Sequence, residues 1–357
     1  MRIFQTFVLP DILVGKLGLS FAAANFSRNL IAGGGFDKAY SLMPVNVTGE
    51  LGDVEDPSYE VIYSIWRKRG GIRSRLAILA EQWKIFRKVE KGDSIWLYNL
   101  NAINAYLFLL LKIFKPSVKR NVIILDFTPA KSWKEQNHWY LKLINMADGT
   151  ISLSPSDLFK VVNGTVLPGV VPDSYKPAPV MKKINREFLL SGVISETIAM
   201  TREVLEAFSK NPECTLHITG KVMDNEELIA SYAAKYPNII YHGAISFKDY
   251  LSLLHGVTFQ LSTRNPEMPE NQCNFPSKII EALLHNRAVV STIAYPQLEN
   301  IEYLKFDSKN IADGLRMIAG MDDAQIEKYV NQNEIVRRMF GTKVWNYWMT
   351  KIEKSER

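Results

Sequence analysis

The stretch NFPSKIIE, Asn274 to Glu281, decides how this chain is read. Asn274 suits the neighbourhood of a helix N-cap. Pro276 suits the first turn, where a missing backbone N–H is not needed. Ser277 and Lys278 then fall in that turn, so unpaired N–H groups, the positive end of the helix dipole, a hydroxyl and an ammonium converge. That is chemistry for a diphosphate. Glu281 lies one turn on, where a carboxylate repels phosphate but accepts hydrogen bonds from a ribose diol. On pattern alone, a core helix with Lys278 and Glu281 in solvent is an equally open reading.

Outward from this stretch, apolar β-rich runs alternate with helical patterns, the mark of parallel sheets with crossover helices. The first half offers the strands RIFQTFVL, KAYSLMPV, SIWLYNL, NVIILDF and GTISLS, with helices expected over 17–31, 72–90, 105–114 and 133–146. The second half offers EFLLSGV, CTLHITG, IIYHGA, TFQLST and AVVST. The seam falls in Val166–Lys183, where four prolines and little periodicity mark a connection. The 357 residues thus divide into domains at 1–170 and 171–330. The remainder, 331–357, belongs to a helical stretch expected from Asp322 to Lys354. Trp345 and Trp348, three residues apart, share a face of it that must dock.

Composition narrows the class. Cys214 and Cys273 are the only cysteines, too few and too far apart for a disulfide framework, which suits a reducing cytoplasm. The sequons at Asn25, Asn46 and Asn163 then carry no meaning. The N-terminal run reads as a strand rather than a signal peptide, because Asp11 interrupts it. The longest uncharged run, Ser94 to Leu111, contains Asn99, Asn101 and Asn104, and reads as a strand and a buried helix rather than a membrane span. No Asp-x-Asp motif and no His/Cys cluster appears, so no catalytic metal and no cofactor is expected.

Charge is uneven: residues 1–170 carry 21 Lys+Arg against 14 Asp+Glu, the rest 22 against 23. The excess gathers between Trp66 and Lys91, where Ile72, Leu76, Leu79, Trp83 and Phe86 recur at helical spacing among basic residues. Two readings stand: a core-docked helix with a solvated basic face, or an interfacial helix from Arg67 to Lys91 on an anionic membrane. Nucleic acid is the poorer partner, since stacking aromatics are not interleaved with the charges. Asp126, after the buried-type strand NVIIL, can orient or deprotonate a hydroxyl or can cap the turn that follows. His138 reads as a helix-face histidine, and Gly33 to Gly35 as a turn without the spacing of a dinucleotide fingerprint.

The chain resembles the retaining GT-B glycosyltransferases of family 4, in the branch of bacterial capsule, exopolysaccharide and lipopolysaccharide clusters. The resemblance runs through Leu189–Phe208, Leu216–Lys221, Ile239–Leu254, Leu261–Glu267 and the FPSKIIEALLHNRAVVST stretch. In the first half it takes in Val122–Ala130, Ala147–Ser154 and Gly169–Pro177. It implies an α/β fold of two Rossmann-like parallel-sheet domains facing each other across a cleft, the last helix returning to the first domain. It implies a nucleotide-diphospho-sugar donor and a saccharide or polyprenyl-diphosphate-linked acceptor, at a cytoplasmic or peripheral membrane location. Glu281 matches the second glutamate of the family's E-x7-E motif, which holds the ribose; Ser277 and Lys278 match the helix start beneath the diphosphate. Gly192 matches a glycine turn, and His242, Gly243 and Ile245 the segment that reads the nucleobase. Arg264 and Lys221 add cations near the diphosphate. The first motif glutamate is replaced by Cys273, with Glu267 and Glu270 on the same loop as sugar contacts. The cations that many relatives carry after the first donor-domain strand are Val193 and Ile198 here. Rival readings are a non-catalytic sugar-nucleotide-binding or scaffold protein on the same fold, and an epimerase or dehydrogenase, which the missing G-x-G-x-x-G disfavours.

Overall fold

The computed structural model describes all residues except 18, 45–54, 65, 68–70 and 356–357. The sequon at Asn46 and the basic pair Lys68 and Arg69 lie outside the described residues. The chain forms two compact units: Met1–Tyr175 with Cys273–Phe275 and Phe340–Arg357, and Lys176–Gln272 with Pro276–Met339.

The first unit holds seven described strands: β1 (Arg2–Thr6), β2 (Lys38–Leu42), β3 (Glu60–Ile62), β4 (Ser94–Tyr98), β5 (Lys119–Ile124), β6 (Gly149–Ser152) and β7 (Gly164–Val166), in the order β3-β2-β1-β4-β5-β6-β7. All pair in parallel. Central strands such as β4, SIWLY, are buried at every residue, because helices cover both faces and no alternation is needed. The expected helix over 17–31 is two, Asp11–Lys16 and Phe21–Gly33. Ser20 starts the second by accepting from the Ala23 N–H.

The expected terminal helix is three, Asp323–Glu327, Asn333–Phe340 and Thr342–Lys354. The last of these packs in the first unit. Trp345 is fully buried, meets Phe26 edge-on at 5.5 Å and donates to the Gly169 carbonyl at 2.8 Å. Trp348 does not share this burial; it is half-buried, with the Lys351 ammonium 4.5 Å from its ring. Glu353 receives both arms of Arg2, at 2.8 and 2.7 Å, and the Trp96 indole at 2.7 Å.

The basic stretch is sorted by its packing. Arg67 is no surface cation: it is buried against the buried Glu81 at 2.8 Å and donates to the Met43 carbonyl. Burial pushes the Glu81 carboxyl up, opposed by Arg67. The helix Gly71–Lys88 turns Ser74, Ala77, Glu81, Gln82, Ile85 and Phe86 inward. Of the apolar stripe that suggested core docking, only Phe86 is buried; Ile72, Leu76, Leu79 and Trp83 face solvent. Among the described residues no helix is long and apolar enough to cross a membrane.

The second unit holds six described strands, β8 (Glu187–Ile194), β9 (Thr215–Val222), β10 (Ile239–Tyr241), β11 (Phe259–Ser262), β12 (Ala288–Ser291) and β13 (Leu304–Lys305), in the order β10-β9-β8-β11-β12-β13. The chain runs outward from β8 to one edge, then restarts at β11 and runs to the other. The order therefore reverses between β8 and β11, the place where open α/β sheets bind ligands beyond the strands' carboxyl ends.

The same unit carries a pH-sensitive contact. His255 Nε2 and His285 Nδ1 lie 2.8 Å apart at the ends of two helices. Burial, then His255 and Arg287, hold the His285 imidazole down at about 4. A depressed histidine pKa means that the unfolded chain binds more protons, so stability is full above about pH 6.5 and falls as pH drops toward 4. A loss of about 2 kcal/mol between pH 7.5 and 4.5 is expected in urea titrations after allowance for solvent screening. His285→Gln should flatten that slope.

Candidate functional site

The helix of the opening stretch runs Ser277–Leu284 with Pro276 as its cap residue and no side-chain cap. Asn274 does not cap it; its Oδ1 accepts the Phe127 N–H at 2.7 Å within the first unit. The first turn therefore has no side-chain cap; the Ile279 N–H donates to the Pro276 carbonyl at 3.0 Å, and Ser277 is exposed beside it. Buried Ile279, Ile280, Leu283 and Leu284 anchor the other side.

Lys278 and Glu281 belong to one cluster at the carboxyl end of β8. Gly192 and Gly220 sit opposite each other in the β8–β9 register, with φ of +106° and +136°. A Cβ on Gly220 would lie 2.0 Å from the Gly192 carbonyl oxygen, and one on Gly192 would lie 2.5 Å from Lys278 Cε. Only glycine permits this approach. The lysine stem thus crosses bare backbone, and its Nζ rests 4.7 Å from the centroid of the Tyr250 ring. The Tyr250 hydroxyl donates to Glu281 Oε2 at 2.7 Å. Burial, then Glu281, raises the Tyr250 pKa, so the phenol stays protonated and donating. Burial lowers the Lys278 pKa, while Glu281 supports its charge.

Tyr250 lies in the helix Phe247–Gly256, whose N-cap Ser246 accepts from Asp249. Sequence reading passed over it, since one aromatic on an amphipathic helix carries no signal of a partner on another helix. Gly220 was equally missed, although a glycine closing the apolar run LHIT hints at a close backbone approach.

The remaining residues form separate groups. The segment after β10 is strapped to β9: His242 N–H donates to Ile218, and the Gly243 carbonyl accepts from Gly220 and the Thr219 hydroxyl. Gly243 has φ +66° and open space where a Cβ would be; Ile245 is half-buried. His242 stacks on His217, 3.0 Å between ring nitrogens, and His217 reaches Glu187 at 3.3 Å. Burial and His217 lower the His242 pKa. Lys221 is exposed at the end of β9.

Beyond β11, Arg264 is fixed by Thr292, which accepts its N–H and donates to its carbonyl. Its guanidinium donates to Asn271 at 3.1 Å. No hydrogen bond or ion pair among the described residues joins it to Lys278. Glu267 is exposed, and Glu270 has a buried Oε2 with no hydrogen-bond partner among the described residues. Cys273 is a core residue of the first unit, buried and 3.6 Å from the Ser156 hydroxyl. A glutamate there would bury a charge among apolar side chains. Val193 and Ile198 are exposed. In the first unit, Asp126 is exposed just past β5; burial, then the Asp126 charge, raises the pKa of the buried Tyr98.

No family model matches the chain, and no curated protein matches it in sequence. Solved structures do match in shape. The trehalose-6-phosphate phosphatase N-terminal domain of Candida albicans superposes with a TM-score of 0.68 at 12% identity, covering 99% of this chain and 97% of that one. Anabaena HepE, solved with UDP and glucose, gives 0.59 at 14% identity and 98% of each chain. A TarM variant of S. aureus, solved with UDP and α-GlcNAc-glycerol among its ligands, gives 0.56 at 16% identity over 78% of this chain. The match spans only 59% of TarM. At such identities the likeness establishes architecture alone: the chain has the GT-B fold, with two Rossmann-like α/β domains.

Proposed function

We propose that the chain is a metal-independent glycosyltransferase that moves a sugar from a nucleotide-diphospho-sugar to a saccharide or polyprenyl-diphosphate-linked saccharide, with retention of configuration, in bacterial surface polysaccharide synthesis. One observation carries the reading: at the switch point, a half-buried ammonium and a tyrosine-oriented carboxylate stand one helical turn apart over paired glycines. A cation for the diphosphate beside an acceptor for the ribose diol is a combination that a nucleotide requires. Lys278 and Arg264, with the helix start at Ser277, which carries no side-chain cap, would stabilise the charge that develops on the leaving diphosphate. These cations make a divalent ion unnecessary in this reading. Gly192 lets the backbone approach, Lys221 adds charge, and His242, Gly243 and Ile245 face the base. Glu267 and Glu270 would contact sugar hydroxyls, and Asp126 would orient the acceptor. Cys214 and Cys273, not joined in a disulfide, fit a cytoplasmic setting.

A second reading, nucleotide-sugar binding without transfer, draws support from Val193 and Ile198, exposed apolar side chains where the family carries cations. Thermal shift over a panel of nucleotide sugars, followed by assay of released nucleotide diphosphate, separates the two. UDP-sugars come first, given the UDP in the HepE and TarM complexes. A true donor at a hundredfold excess over Kd should add about 2.7 kcal/mol of stability. Binding without release under any acceptor would favour the second reading, and no binding would sink both. Stabilisation by NAD alone would point to a dehydrogenase.

A further inference from the structure

We propose that Tyr250 is a positioning residue that keeps the Lys278 ammonium and the Glu281 carboxylate apart, leaving both charges available to a nucleoside diphosphate. The inference rests on the nucleotide-donor reading of this site and adds a residue to it. Lys278 and Glu281 stand three residues apart on the helix Ser277–Leu284, the spacing at which opposite charges on a helix meet. A lysine stem is long enough to close that gap, and half-burial would strengthen the attraction. Yet no ion pair joins them among the described residues; the carboxylate supports the ammonium only through space.

What intervenes is one side chain from another helix. The Tyr250 ring centroid lies 4.7 Å from Lys278 Nζ, and the hydroxyl donates to Glu281 Oε2 at 2.7 Å. The negative face of the ring takes the cation, and the O–H takes the anion. Each charge has a partner, and neither charge is cancelled. The tyrosine is itself fixed. Ser246 caps the start of its helix by accepting the Asp249 N–H, and the ring packs on the buried Leu189, Leu254 and Val257. On the far side Gly192 admits the lysine stem, where a Cβ would lie 2.5 Å from Cε. An aliphatic side chain at position 250 removes both tethers, and Glu281 can swing onto Lys278. A diphosphate would then have to break an ion pair before it could bind, and a ribose diol would find the carboxylate occupied.

Calorimetric titration of the full chain with UDP, alongside donor kinetics, tests this. Tyr250→Leu is expected to raise the UDP Kd about fivefold, the scale of an ion pair that must first open. The KM of a turned-over nucleotide sugar should rise equally while kcat holds, because the bound diphosphate has already drawn Lys278 away. Tyr250→Phe leaves the packing intact and the ring beneath the ammonium but frees Glu281, so it should show a smaller rise in the same direction. With Glu281→Gln no ion pair can form, and adding Tyr250→Leu to that variant should cost about twofold or less. A structure of Tyr250→Leu should place Nζ within ion-pair distance of a Glu281 oxygen. Native UDP affinity in both Tyr250 variants, an equal loss in the Glu281→Gln background, or a Tyr250→Leu structure with the two charges still apart overturns the proposal. If the native chain binds neither UDP nor any other nucleoside diphosphate, the donor reading fails instead, and the Tyr250→Leu structure still decides whether the phenol separates the pair.

Discussion

Replacing Lys278 by alanine is expected to lower kcat/KM for the nucleotide-sugar donor by about 10²- to 10³-fold, the scale of removing one preorganised group at a developing charge. The expectation comes from how the ammonium is held. Its stem lies on the Gly192 backbone and its Nζ over the Tyr250 ring, so few rotamers remain to be lost on binding. Burial works against its charge, and Glu281 offsets that only through space, without an ion pair to Lys278 among the described residues. A diphosphate would supply the missing counter-charge. Because charge on the leaving group grows along the reaction, the loss should appear mainly in kcat. Lys278→Met keeps most of the stem over Gly192. It should show the same kinetic loss with an unchanged melting point, which separates charge from packing. Wild-type kinetics in both variants would remove Lys278 from the site.

The sequence carried this cluster halfway. Ser277, Lys278 and Glu281 are adjacent on one turn, so their convergence is a local fact that spacing can express. The alternation of apolar runs and helices was equally local, and the main strands of both sheets were legible from it. What escaped depends on distant partners. Tyr250 reaches Glu281 from another helix, and Gly220 meets Gly192 across a strand pair. Asn274 looked like a cap but serves Phe127 from far along the chain, and Cys273 beside it is a core residue. β3, β7 and β13, of two or three residues, gave periodicity too little to work on, whereas β10, equally short, stood out within the apolar run IIY. The stripe from Ile72 to Trp83 left two readings open. Its spacing identifies a helix face, but spacing cannot say whether that face meets the core or the solvent.

Trp345→Ala is expected to destabilise the first unit by about 3–5 kcal/mol, the range for deleting a large buried aromatic. Trp345 is fully buried, it meets Phe26 edge-on, and its indole is the donor to the Gly169 carbonyl. Alanine would leave a cavity and an unsatisfied carbonyl together. At about 2–4 °C per kcal/mol for a unit of this size, the melting transition should fall by about 6–20 °C. Trp345→Phe divides the effect: the cavity largely closes, and about 1–3 kcal/mol remains for the lost donor. Trp348→Ala is the control, because that ring is half-exposed beneath the Lys351 ammonium and should cost about 1 kcal/mol or less. The measurement is calorimetry with and without a bound nucleotide sugar. A ligand held by the second unit should raise that unit's own transition by the same amount in wild type and Trp345→Ala. A melting point for Trp345→Ala within a degree or two of wild type would mean that the terminal helix contributes little to the first unit, and its packing against Phe26 and Gly169 would then not be what holds Thr342–Lys354 in place.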